Sequence, residues 1–317
     1  MRSLISKSAV VAAIAIAVAG SAASAGEPVV KWIDSRQGMP QARITALLAV
    51  EGRLYAGLSG KGIAVFEKDA GRPRFVSRAD GLPSDEVVSL VHYRGKVHAG
   101  TAEGIAVEEG QRWTTLREAG GVPLRNVVLG VSPDGKQLWA CSMFLAGGTL
   151  VYDGKAWTFV GGEGKGLFSN ITAFGFSPDG VLLGAVSGTV YERKGKAIEA
   201  LGGRFPAANV TSVGVRGGNV YAGTNRGLFL WRGKEWQPVS VPGEFPGQAV
   251  FSILRSDVEL FVAGVRGLLL FDRTGETRVL SGTAAFPAGP VYALAEDGGT
   301  LYAATDHGVA VLRGWRD

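Results

Sequence analysis

"YAGTNRGLFLWRGKEW", Tyr221 to Trp236, decides the fold. A strand-like run ends in small residues, a glycine turn follows, and a second apolar run leads through another turn to a tryptophan. Near-copies stand upstream: "YAGLSGKGIAVFEK" from Tyr55 and "HAGTAEGIAVEEGQRW" from His98. The residues aligning with Tyr221 are Tyr55, His98, Trp139, Leu183, Phe261 and Tyr302. Successive anchors lie 38 to 44 residues apart, about 41 on average. That period suits a blade of four short strands, and it predicts an all-β, seven-bladed β-propeller.

Each unit repeats the same parts. The first run is continuously apolar, as in "ITALLAV" from Ile44 and "NVTSVGV" from Asn209, and is expected to form a strand buried on both faces. Tight turns follow at Asp134-Gly135, Asp179-Gly180, Gly217-Gly218 and Gly298-Gly299. Glycine there supplies the positive φ that hairpin turns require. The second strand carries small residues, needed where sheets converge on an axis. A third apolar strand and a fourth with Trp113, Trp157 or Trp236 complete the unit. The last unit lacks a fourth strand, and "VVKWID" from Val29 to Asp34 resembles one. The N-terminal strand is therefore expected to complete the final blade, removing open sheet edges. An open stack of hairpins is the alternative.

The first 25 residues read as a cleavable signal. Arg2 and Lys7 precede an apolar run from Ala9 to Ala19, then small residues at Ala23 and Ala25. A retained anchor helix is the rival reading. Residues 26–317 then form a single propeller domain in the periplasm or outside the cell. Without Arg2 and Lys7 the chain carries 31 basic and 28 acidic residues. With no Lys/Arg cluster, this slight excess does not point to nucleic acid. Cys141 is the only cysteine, so there is no internal disulfide, and it is expected to be a buried strand residue. No His, Cys or carboxylate spacing suggests a metal, and no motif suggests a cofactor.

"GLPSDEVVSLVHYRGKVHAGTAEGIAVEEG", Gly81 to Gly110, and "GMPQARITALLAVEGRLYAGLSGKGIAVF" from Gly38 resemble units of the two-component regulator propeller family. "GVPLRNVV" from Gly121 and "NVYAGTNRGLFLW" from Asn219 fit too, while later units keep only Phe205-Pro206, Phe245-Pro246 and Phe286-Pro287. "SPDG" at Ser132 and Ser177 also occurs in WD-type propellers. The resemblance implies a sensing domain, often joined to a membrane histidine kinase. This sequence shows no kinase and no helical linker after Arg316, so a stand-alone binding, scaffold or sensor subunit is expected.

In a propeller, two loop sets share one face and surround the channel mouth. The loops entering the first strands give Arg43, Arg125, Asn126, Asn170 and Asn209. The turns between second and third strands give Lys61, Glu103, Arg226, Arg266, Asp306 and His307. The recurring cations would attract a small anionic ligand or an acidic protein partner in the cell envelope. Polar turn residues that merely face solvent explain the same pattern. "CSMFLAGG" after Ala140 is an insertion, and its Met143, Phe144 and Leu145 suggest either a docking spot or a plug over the mouth. Catalysis is the weaker reading. A lyase or hydrolase acting on an anionic polysaccharide or peptide would use His307 with Asp306 and Glu103.

Overall fold

The computed structural model describes residues 29–67, 72–142, 145, 148–161, 170–178, 180–195, 197–203, 205, 209–240, 247–256 and 259–315. The predicted leader, Met143 and Phe144 lie outside them.

Seven four-stranded antiparallel sheets form the propeller. Blade 1 runs Ile44–Val50, Arg53–Leu58, Gly62–Glu67 and Arg74–Val76. Blade 2 runs Val87–Tyr93, Lys96–Thr101, Gly104–Glu109 and Arg112–Leu116. Blades 3 to 6 repeat this order from Val128, Ile171, Val210 and Val250. Blade 7 holds Val291–Asp297, Thr300–Thr305 and Gly308–Arg313, and Val29–Ile33 supplies its fourth strand, pairing Trp32 with Ala310. The first strands touch one another in sequence, blade 7 against blade 1 included, so the ring is closed.

That inner ring corrects one expectation. The first strands alternate between buried and half-buried positions because one face lines the channel. The second strands are the continuously buried ones: every residue from Leu54 to Leu58 is enclosed. The core is distributed accordingly. Seven apolar clusters lie one at each seam between neighbouring blades.

The small residues of the second strand have a steric cause. A Cβ on Gly223 would stand 2.6 Å from Val250 Cγ1 of the next blade and 2.3 Å from Ser212 Oγ. Only glycine lets the blades approach so closely. Hydroxyls pin the same approach. Thr45 donates to the Val87 carbonyl at 2.7 Å, Ser89 to Val127 at 3.0 Å and Thr172 to Val210 at 2.6 Å, each bond crossing a seam. Three of the hairpin turns are as expected: Gly135 has a φ of 66°, Gly217 and Gly218 have 53° and 77°, and Gly298 and Gly299 have 55° and 76°, while Asp179 lies outside the described residues. A two-residue-strand hairpin, Glu118–Ala119 with Val122–Pro123, was not anticipated. Cys141 is fully buried, and burial pushes its thiol pKa well up.

Candidate functional site

The two loop sets do share a face, because the backbone ties them together. The amide of Ser59 donates to the Arg43 carbonyl, Ala102 to Glu86, Val186 to Asn170 and Asn225 to Asn209. Thus the turn between second and third strands in blades 1, 2, 4 and 5 hangs on the residue entering its own blade. A buried threonine shapes three of these turns. Thr101, Thr224 and Thr305 each donate to the carbonyl of the glycine three residues on, and accept from the amides of Glu103, Arg226 and His307. The threonine that ends the second strand is therefore the device that presents position 103, 226 or 307.

Those equivalent positions meet different fates. Glu103 is neutralised: Arg78 and Arg117 approach its Oε2 at 3.1 and 3.2 Å. Lys61 donates to the Gln41 carbonyl at 3.1 Å. Arg226 is exposed, and Arg266 is exposed yet has partners of its own. Among the entering residues, Asn126 and Asn170 adopt φ of 46° and 62°, a left-handed conformation asparagine tolerates. The Asn209 amide is capped by Asn225 Oδ1 at 2.8 Å. These three asparagines have backbone roles. Arg125 is exposed, with its backbone amide donating to Ser142 Oγ. Leu145 of the insertion is buried in the seam between blades 2 and 3.

At the corner of blades 7 and 1 the predicted residues come together. Arg43, Asp306 and His307 line one cavity of 570 Å³ with Gln41, Ala42 and Thr305. Asp306 and His307 occupy a turn rather than extended chain, so both reach it. The Arg43 guanidinium lies 5.0 Å from the Tyr292 ring centre. Tyr292 donates its hydroxyl to Asp306 Oδ1 at 2.7 Å and packs against Phe251, 5.4 Å between ring centres. Burial, then the Asp306 bond, raises the Tyr292 pKa. Asp306 is thus engaged by the phenol, and Arg43 has no acidic partner among the described residues. Its flat face is held by the ring while its N–H edge stays available. Glu103 is outside this cavity, on blade 2. Tyr292 and Phe251 were missed by the sequence reading; they occupy the bulged place of the first strand, where blade 1 has Thr45. Among the described residues no group of three His, Cys, Asp or Glu is placed to hold a metal.

No family model matches the chain, and no curated protein does. Solved structures match its fold. The extracellular domain of a B. thetaiotaomicron protein assigned as a hybrid two-component system aligns with a TM-score of 0.71 and 16% identity, over 90% of this chain and 41% of that one. The extracellular domain of a one-component system from the same organism gives 0.68 and 16%, over 89% and 39%. This chain therefore spans about two fifths of either. Virginiamycin B lyase from Staphylococcus aureus gives 0.67 and 12%, over 90% and 99%. The class defined is a seven-bladed propeller with an open loop-face corner.

Proposed function

We propose that the chain is an exported, non-catalytic propeller of the two-component regulator type that recognises an anionic ligand at the blade 7–1 corner. One observation carries the reading: Arg43 is stacked on Tyr292 and opens, without an acidic partner among the described residues, onto a cavity of 570 Å³. A guanidinium so oriented offers two parallel N–H donors to a carboxylate or phosphate at little entropic cost. His307 on the same wall and Lys61 beside Gln41 add polar groups, and Lys61 adds a positive charge. Extracellular sensor propellers of like fold support a sensor or scaffold role, and the signal-like first 25 residues support export.

The test is calorimetric titration of the mature protein with a panel of small carboxylates, sugar acids and organic phosphates, beside Arg43→Glu. At least one anion should saturate the native protein and weaken by about a hundredfold in the variant, the loss of one charge-assisted bidentate contact plus like-charge repulsion. The circular dichroism of the two should coincide. Equal binding by both would sink the reading. The catalytic alternative has its own support, since His307 and the Tyr292–Asp306 pair line the same cavity and a lyase shares the fold. It requires turnover of the bound anion that His307→Ala removes.

A further inference from the structure

The seams differ at one repeated place. Tyr55, His98 and Tyr221, each third in its second strand, face the neighbouring blade. Between blades 1 and 2 this residue is Tyr55, whose hydroxyl donates to Glu108 Oε2 at 2.8 Å. Between blades 5 and 6 it is Tyr221, packed on Phe271 with 5.6 Å between ring centres. Between blades 2 and 3 the chain has His98, and Tyr152 stands where blade 2 has Glu108. An imidazole is shorter than a phenol, and here a cleft of 530 Å³ opens.

The cleft is lined with rings. Tyr152 stacks on Trp157 at 5.1 Å, and Tyr93 stands edge-on to Tyr152 at 6.1 Å and to His98 at 5.7 Å. Leu138 and Leu116 complete the apolar wall. At the rim Lys96 and Glu109 pair at 2.7 Å, and Arg94 donates to the Asp153 carbonyl. His98 is only 6% exposed. Its Nδ1 lies 3.2 Å from the Lys96 carbonyl, and a carbonyl only accepts, so Nδ1 carries the proton. Burial favours the neutral ring. Nε2 is then a lone-pair acceptor without a partner among the described residues, on a ring that lines the cleft. Opening onto the cleft, it is placed to accept from a ligand's donor.

We propose that this seam is a second binding site, for a neutral hydroxylated aromatic molecule of the phenol class. Its ring would lie among Tyr93, Tyr152 and Trp157, and its hydroxyl would donate to His98 Nε2. The ligand thereby supplies what Tyr55 supplies to the seam of blades 1 and 2. Neutrality follows from the wall of rings and leucines, where a charged group would lose its hydration, and the donor group from the fixed tautomer.

The experiment titrates the mature protein with p-cresol and with toluene, which lacks only the hydroxyl, following tryptophan fluorescence and calorimetric heat. The native protein should bind p-cresol at least about tenfold more tightly than toluene, the contribution of one buried hydrogen bond. His98→Phe should bring p-cresol down to the toluene level. His98→Tyr, which places the chain's own phenol in the seam, should abolish both while raising the melting temperature. No saturable p-cresol binding, equal affinity for the two probes, or undiminished binding by His98→Tyr would each overturn the proposal.

Discussion

The seam between blades 1 and 2 and the seam between blades 2 and 3 are built from the same repeat, yet one is filled and the other open. In the first, Tyr55 is completely buried and bonded to Glu108, itself 7% exposed. Arg53 and Arg74 stand 3.6 and 3.5 Å from the other carboxylate oxygen. In the second, His98 and Tyr152 leave a cleft. Repetition fixes where side chains meet; the exchange of Tyr55 for His98 together with that of Glu108 for Tyr152 decides whether the meeting closes. The filled seam contributes stability, and the open one leaves a place for something else.

The comparison is broken most severely by truncation. Tyr55→Ala removes a fully enclosed ring and strands Glu108, and should cost about 3–5 kcal/mol. His98→Ala removes a smaller ring from a seam that is already open, and should cost only about 1–2 kcal/mol. Chemical denaturation of both variants checks the contrast; equal losses would mean that the cleft is not open in solution. A gentler change tests the polar part alone. Tyr55→Phe keeps the ring and deletes the donor to Glu108, whose Oε1 has no hydrogen-bond partner among the described residues. The expected cost is about 1–3 kcal/mol, that of a buried acceptor left unpaired. The two guanidiniums, each about one third exposed, hold it toward the lower end. A neutral outcome would show that they alone satisfy the carboxylate.

How much of this was legible in the chain follows from which features are local. Turn glycines and apolar runs declare themselves over a few residues, so the blade count, the hairpin positions and the closing strand with Trp32 are readable. Depth is not local. The first strands look more apolar than the second, yet the channel exposes one of their faces, and burial on both faces falls instead to Tyr55-Ala56-Gly57 and its copies. The loop face was readable because the repeat places every entering residue and every turn alike. The pairings on it were not. Arg43 meets Tyr292, and Glu103 meets Arg78 and Arg117, through contacts between distant parts of the repeat. Nothing in the spacing shows that one corner cancels its charge and the other does not. His98 carried a readable signal, an imidazole where the repeat has a phenol, but its meaning depends on Tyr152 replacing Glu108 in the next blade.

The smallest effect separates the seams by pH. Burial lowers the His98 pKa, with Lys96 and His92 adding repulsion, the Lys96 carbonyl bond opposing, and Glu109 attracting weakly. Tyr93, Tyr152 and Arg94 also face the cleft. A base held neutral in the fold takes up its proton more readily when unfolded. The unfolded state therefore binds more protons below about pH 6.5, and the stability tied to neutral His98 is present above that value and lost as the pH falls through it. In His98→Tyr this loss cannot occur, while the other histidines and the acidic groups are common to both proteins. The stability of the native protein relative to His98→Tyr should thus decline between about pH 7.5 and pH 5. A difference that stays flat across that range would show that the His98 imidazole is solvated in the folded protein and not desolvated by the seam.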